Sequence, residues 1–519
     1  MTNSKTDLDE TRIPVLIGGG QLTDKRDPED AATPIELMVE AAQKAAADAG
    51  PGDKLLQAID TLVAVGLAVD DPVSDSGAAG MFRNVPLSVS NRLGIDPARR
   101  WYTVTGGNTP QLLVNKFAER IAQGECSAVL LTGAEALHTM IGRFKRGLPM
   151  DAWQEDPGGE PEMLGVSRPP ATPHERAYGI QEPATVYPLF ENALRGKYGL
   201  TLAQHQEKLG ELFHGFNRVA AENPLSWFPT PRSAEEIATV SAENRYVGFP
   251  YTKYLNSVIQ VNQGAAVIMT SRARARELGV AEDRLVYLHG CGDANDIWNI
   301  SERADFSSSP AIRTIGSKAL AMAGKTIADM DYFDLYSCFP SAVQIACDEL
   351  GIAYDDPRGL TVTGGLPYFG GAGNDYVMHS IATMMDKLRA RPGSYGLLNS
   401  NGWYVTKHAI GIYSTAPITE PWQREDPQDY QEAILDQAQP GFTETPEGPA
   451  TIETYTVLHG RKGVERALVI GRLEDGTRFI ADTPDDANTL QAMMDQDVLG
   501  LAGQVSSESG RNRFVPDFR

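Results

Sequence analysis

"NSVIQVNQGAAVIMTS" (256–271) turns from a polar opening into an apolar run around a Gly-Ala-Ala centre. It reads as a buried strand. Upstream lies a long region, roughly 136 to 255, carrying "SRPPATPHE", "LFENALRGKYGLTLAQHQEKLGELFHGFNRVAAENPLSWF" and "RYVGFPYTKYLN". Its pattern is mostly helical with Pro-rich connections, far longer than an ordinary loop. Long insertions above strand ends commonly shape a pocket for a large substrate.

Outside that excursion the apolar period alternates. "IPVLIGGG" (13–20) reads as a buried strand. "TPIELMVEAAQKAAADAG" (33–50) reads as a helix with Thr33 as cap, Pro34 in the first turn and Gly50 as stop. "IDTLVAVGL" (59–67), "NTPQLLVNKFAERIAQGE" (108–125) and "SAVLLTGAE" (127–135) continue the series as strand, helix and strand. The same order restarts with "RLVYLHGCGDA" (284–294), "SPAIRTIGSKALAMAG" (309–324) and "MDYFDLYSCF" (330–339). After a helix from Pro340, "SYGLLNSNGWYVTKHAIGIYS" (394–414) closes it as two strands joined around Asn401–Gly402. Two α/β halves of similar order follow one another, an internal duplication of architecture.

Composition bounds what such a protein can do. Of 519 residues, 42% are apolar and 22% charged, as in globular proteins of several packed units. No apolar run reaches the roughly 18 residues that span a bilayer. "MTNSKTDLDETR" lacks the apolar stretch of a secretory signal. The four cysteines (126, 291, 338, 347) have neither disulfide-framework nor zinc spacing, so reduced thiols, no metal and a cytoplasmic location are expected. A formal charge of −22 argues against nucleic-acid and membrane partners. "RFKRG" (143–147) and "RARAR" (272–276) are the basic clusters, read as solvated faces.

"GGLPYFGGAGNDYVMH" (364–379) places five glycines in ten residues and ends on a histidine. Such a backbone forms neither a stable helix nor a strand interior. It suits a loop that lets a substrate approach closely or that presents N–H groups.

Together, "HQEKLGELFHGFNRVAAENPLSWFPTPRSAEEI" (205–237) and the opening stretch closely resemble the loop domain and following strand of sterol-carrier-type thiolases, in which a Gly-Ala-Ala signature recurs at "NQGAA". The resemblance covers about residues 12 to 416. It implies an α/β chain with a duplicated five-layer thiolase fold (αβαβα), a helical loop domain, and coenzyme A or acyl-CoA as substrate or ligand, with no covalently bound cofactor. The domains it implies are an N-terminal half (12–285, including the loop domain 136–255) and a C-terminal half (286–416).

Thiolases exchange acyl groups through a cysteine at the N-terminus of a buried helix, where the dipole and N–H groups lower a thiol pKa. Here the matching helix begins at "TGGNTPQLL", and the nucleophile position is Asn108 beside Gly107. The second element reads "YSCF" (336–339): Tyr336 replaces a residue that helps hold an oxyanion-hole water, and Cys338 matches the cysteine of the sterol-carrier-type variant. The third, Gly-His-Pro after a Gly-Gly pair, reads "GGLPYFGGAG", with Gly371 at the histidine. The fourth, Cys-x-Gly, reads "SNG", with Ser400 at the acid/base cysteine. Conventional two-step thiolysis is therefore not expected, and whether the chain is an enzyme stays open. Polar candidates for catalysis are Tyr336, Cys338, Asn374, His379, Ser400 and His408, with Ser337 and Asn401 beside them. Gly370, Gly371 and Gly402 are backbone or oxyanion candidates.

Residues 417–449 form a Pro- and acid-rich connection, and 450–519 read as short strands with an "EDGT" turn, a small OB-like barrel. It lacks the basic and aromatic clusters of nucleic-acid OB folds. Similar barrels, as separate chains, partner thiolase-like retro-aldolases that cleave 3-hydroxyacyl-CoA side chains of steroids and are thought to use tyrosine. Three readings result: an acyltransferase-superfamily protein handling acyl-CoA, a retro-aldolase of lipid catabolism, or a non-catalytic CoA or lipid binder. Assembly is left open between a monomer and a homodimer, since the barrel can cover an assembly surface.

Overall fold

The computed structural model describes residues 8–70 and 81–518; the first seven residues of the N-terminal stretch discussed above lie outside them. In the first half, β1 (Pro14–Thr23) leads to a helix Pro34–Ala49, β2 (Thr61–Ala64), a helix Val85–Leu93, β3 (Arg99–Thr103), a helix Thr109–Gln123 and β4 (Ala128–Ala136). The excursion follows, containing β5 (Glu162–Leu164), the helices Pro183–Tyr198 and Leu202–Glu222, β6 (Tyr246–Gly248) and β7 (Tyr251–Thr252). β8 (Asn262–Ser271) ends this half. The second half repeats the order: β9 (Val286–Asn295), a helix Pro310–Ala323, β10 (Tyr332–Leu335), helices Pro340–Leu350 and Tyr376–Ala390, β11 (Tyr395–Gly402) and β12 (Lys407–Ser414).

The sheet order β10-β11-β12-β9-β1-β8-β4-β2-β3-β5 makes the duplication visible. Each half places its last strand antiparallel beside its first: β8 on β1, and β12 on β9. The halves meet where β1 pairs briefly with β9. Helices 109–123 and 376–390 pack on one another and on strands of both halves, while helix 34–49 covers the strands of the first half and helix 310–323 those of the second. That is the αβαβα order. β4 and β8 are buried along their whole length, which is why they read as apolar runs without alternation.

Glycine sets how closely the outer helices sit. A Cβ on Gly18 would lie 3.2 Å from Ala49 Cβ, and one on Gly290 would lie 3.2 Å from Ala323 Cβ, each overlapping a helix carbonyl as well. The same device recurs at equivalent places in the two halves. Helix 34–49 begins as its sequence implies: Thr33 and Glu36 form a reciprocal capping box.

β13 (Gly448–Gly460), β14 (Gly463–Leu473), β15 (Arg478–Asp482), β16 (Ala502–Glu508) and β17 (Arg511–Pro516) pair in the closed ring 13-14-15-17-16-13, with a helix Ala487–Asp495 between β15 and β16. These five strands make the small C-terminal barrel. Two of its features escape a sequence reading. β6 and β7, from the excursion, extend its sheet through Gly248 opposite Leu458. The 417–449 connection is also no free linker. Its helix Pro427–Leu435 buries Tyr430 and Ile434, and Trp422 donates to the Leu288 carbonyl. A further correction concerns β11 and β12. Asn401 and Gly402 are the last residues of β11, not the turn, which runs 403–406 with positive φ at Trp403 and Val405.

The two basic clusters are solvated and paired. Arg272 and Arg276 both reach Glu10, and Arg146 pairs with Asp27. No helix among the described residues is long and apolar enough to cross a membrane.

Candidate active site

Four segments converge on a cavity of about 390 Å³: the turn before helix 109–123, the loop after β10, the glycine loop, and the end of β11. Helix 183–198 of the excursion, and Asn256, Ser257 and Ile259 just after it, close the opposite side. Gly107, Tyr187, Ser257, Tyr336, Cys338, Gly371 and Asn401 all line it.

The turn is fixed from behind. Asn374 accepts from the Gly106 N–H at 2.8 Å and donates to the Gly66 carbonyl at 2.7 Å. Lys407 Nζ donates to the Thr105 carbonyl at 2.5 Å. Asn374 thus holds the loop that carries the nucleophile position and does not line the cavity. Gly107 faces the cavity, with the Tyr336 ring directly against it; a Cβ there would lie 2.8 Å from Tyr336 Cζ. Asn108 turns the other way. It is buried at the helix N-cap without a capping bond, and its Oδ1 has no partner among the described residues.

Tyr336 packs edge-on against Tyr376 at 5.7 Å. Burial pushes its phenol well above the usual tyrosine range, with the neighbouring Cys338 adding to the shift. It is a neutral O–H donor at physiological pH. Burial likewise pushes the Cys338 thiol up to about 12, partly offset by a hydrogen bond with Tyr187. Asn401 Nδ2 donates to Tyr187 Oη at 2.8 Å and lies 3.9 Å from Cys338 Sγ, and Tyr187 donates to the Trp403 carbonyl at 2.7 Å. The polar groups around Tyr336, Cys338 and Asn401 are thus neutral donors, with neither thiolate nor imidazole, and the charged residue of the lining is Glu182 at the start of helix 183–198.

The other sequence candidates lie elsewhere. Ser400 alternates to the far face of β11 and donates to the Ala409 carbonyl at 2.8 Å, leaving its neighbour Asn401 in the cavity. His379 is wholly buried against Phe369 and meets Gln21 at 3.1 Å; burial drives its pKa down to about 3. His408 meets Asp296 at 3.1 Å, on the far side of the 105–108 turn. Gly370 adopts φ +124°, and its missing side chain makes room for the Gln263 amide rather than for a substrate. Gly371 reaches the cavity, and its N–H donates to the Val258 carbonyl at 2.9 Å. Gly402 lines the cavity rim, and a Cβ on it would also crowd Asn108.

Sequence reasoning missed Tyr187, because nothing local marks one tyrosine of the excursion. It also missed a buried carboxyl pair below the glycine loop. Burial raises Glu135 to about 8 and pushes Asp375 well above its usual range. Glu135 accepts from Ala68 N at 2.7 Å and Asp375 from Ala265 N at 3.1 Å. A charged residue closing the apolar run "SAVLLTGAE" was the available signal. Among the described residues no group of His, Cys, Asp and Glu is placed to hold a metal ion.

Comparison with known proteins follows the same lines. Residues 292–372 match the model described as a thiolase C-terminal domain-like family, and residues 429–509 that of the thiolase-like protein type 1 additional C-terminal domain. The crystal structure of a monomeric SCP2-thiolase like protein type 1 from Mycobacterium smegmatis superposes with TM-score 0.82 and 37% identity, over 98% of this chain and 99% of that one. An Ltp2-ChsH2(DUF35) aldolase matches at TM-score 0.56 and 19% identity, over 78% of this chain and 98% of that one. The acetyl-CoA acetyltransferase of Syntrophomonas wolfei matches at 0.52 and 15%, over 78% and 100%. The last two are likenesses of fold alone. No match was found among curated proteins.

Proposed function

This chain belongs to the SCP2-thiolase-like protein type 1 family, and from that membership we propose that it handles acyl-CoA thioesters without covalent acyl transfer. The observation that carries the reading is the pairing of Asn108 at the nucleophile position with a cavity edged by the neutral donors Tyr336, Cys338 and Asn401. Such donors hydrogen-bond and polarise a thioester carbonyl; they do not attack it. A cavity of about 390 Å³ takes the thioester and its near neighbours, leaving the nucleotide outside.

A second reading is favoured by Tyr336 alone. In retro-aldol cleavage of a 3-hydroxyacyl thioester the C2–C3 bond breaks, its electron pair passes to C2 as an enolate, and C3 becomes a ketone or aldehyde carbonyl. The 3-hydroxyl proton has to leave as C2 gains one, and a neutral phenol balances both in a single relay: its O–H proton passes to C2 while its oxygen takes up the hydroxyl proton, so no phenolate is formed. Tyr336, neutral and facing the turn at Gly107, suits proton delivery to the enolate. The aldolase named above shares this fold.

Calorimetric titration with a non-hydrolysable acyl-CoA tests the first reading: saturable 1:1 binding is expected, and its absence refutes it. For the second, a bulky 3-hydroxyacyl-CoA is expected to yield a carbonyl product and a shorter acyl-CoA. Tyr336→Phe is expected to lower that turnover by roughly 10²–10⁴-fold. Turnover unchanged in Tyr336→Phe removes the tyrosine from the chemistry.

A further inference from the structure

Behind the 105–108 turn lies a second cavity of about 430 Å³ that the function above does not use. Its walls come from helix 109–123, the end of β3, the loop after β5, the end of β9 and the helix 427–435. It shares a partition with the first cavity: Gly107 faces one and Asn108 lines the other.

The charge of this cavity runs against that of the chain. Lys116 and Arg168 line it, and neither has a carboxylate partner among the described residues, in a chain of net charge −22. Lys407 lines it too, donating to the Thr105 carbonyl. The carboxylate that faces it, Asp293, is already met by Arg424. Two cations without a carboxylate partner, Lys116 and Arg168, at one concave site of an acidic protein mark a place for an anion.

The rest of the lining is mixed, with Thr109, Asn295, Gln428 and Gln431 among its polar members and an apolar patch between them. Trp298 presents its ring with the Arg168 guanidinium stacked on it at 4.8 Å, and its Nε1–H donates to the Pro169 carbonyl at 2.7 Å, tying the loop to the ring. Leu112 and Leu113 form the floor, and Val166, 87% exposed, stands at the rim. Two buried polar atoms at the base, Asn108 Oδ1 and His408 Nδ1, have no partner among the described residues. Buried polar groups of that kind are normally satisfied by a ligand or an ordered water.

We propose that this cavity is a second ligand site, separate from the acyl cavity, for a small amphipathic anion: a carboxylate on an aromatic or short aliphatic body. The carboxylate meets Lys116 and Arg168, and the apolar body lies against Trp298 and the leucines.

The test uses the intact protein and 3-phenylpropionate as probe, with its uncharged amide as control, by calorimetry and ligand-observed NMR up to about 5 mM, a range suited to millimolar dissociation constants. Expected is 1:1 binding of the acid, with the amide weaker by at least about tenfold. Lys116→Glu and Trp298→Ala are each expected to weaken the acid by a similar factor, and Tyr336→Phe to leave it unchanged. Thermal melts accompany each variant. If Trp298→Ala lowers the melting temperature, Lys116→Glu, a half-buried position on a helix flank, carries the test. No binding of the acid, equal binding of the amide, or affinity unchanged in Lys116→Glu overturns the proposal. Displacement of the probe by a non-hydrolysable acyl-CoA would make the two cavities one site and overturn it too.

Discussion

Gly107 and Tyr336 are fitted to each other: the backbone of the turn leaves out a side chain where the phenol ring stands, with Cζ 2.8 Å from where a Cβ would be. A Gly107→Ala chain therefore has to move the ring, the turn or the Asn401 carbonyl, which lies 2.6 Å from the same point. Overpacking of this kind destabilises by about 1–3 kcal/mol. Removing the hydroxyl relieves part of it, so the penalty in a Tyr336→Phe background is expected to be smaller by about 1 kcal/mol. Urea unfolding of the four chains of the cycle measures this; an additive cycle would contradict the contact.

Cys338 is expected to be inert. With its thiol raised to about 12 by burial, the thiolate is a trace species at pH 8. Alkylation of the folded protein by iodoacetamide should be far slower at Cys338 than in the urea-unfolded chain, and should keep accelerating above pH 10. Incubation with acetyl-CoA should leave the intact mass unchanged. A stable acyl adduct lost in Cys338→Ala would move the nucleophile to that residue.

Glu135 makes stability depend on pH. Its folded pKa of about 8 stands above the ordinary 4.5, so the native state holds a proton that the unfolded chain releases. That stabilisation is complete below about pH 4.5 and is lost as pH rises through about 8, at up to about 1.4 kcal/mol per pH unit. Glu135→Gln keeps an acceptor for Ala68 N and cannot ionise. Its stability relative to the parent is expected to rise steadily between pH 5 and 8, read by urea unfolding at several pH values. A constant difference would mean that Glu135 is charged in the folded protein.

Arg478 joins the barrel to the body. Its buried guanidinium donates to the Ser301 carbonyl at 2.9 Å and the Arg303 carbonyl at 2.5 Å, and pairs with Glu453 at 2.6 Å. Arg478→Met leaves Glu453 paired with Arg472 alone and takes this donor from the two carbonyls, and is expected to destabilise by about 1–3 kcal/mol. Urea unfolding that shows a loss of less than about 0.5 kcal/mol would mean that the barrel is held by other contacts.

The layered fold was legible because strands such as β4 and β8, buried on both faces, leave continuous apolar runs, and because helix caps such as Thr33 act locally. The duplication showed in the order of elements. The candidate site was legible only in outline. Motif positions located the right loops, yet strand alternation put Asn401 in the cavity and Ser400 on the other face. The histidines gave no sign that His379 would be buried against Phe369 or that His408 would face Asp296. Tyr187 and the Gly248–Leu458 bridge depend on contacts between residues far apart in the chain, which no local pattern carries.

The most direct test is a crystal structure with a non-hydrolysable analogue of a 3-hydroxyacyl-CoA. The acyl carbonyl oxygen is expected within about 3 Å of the Tyr336 hydroxyl, hydrogen-bonded and not covalently attached. A carbonyl bonded to Cys338, or an acyl group seated away from Gly107 and Tyr336, would contradict the proposed mode of action.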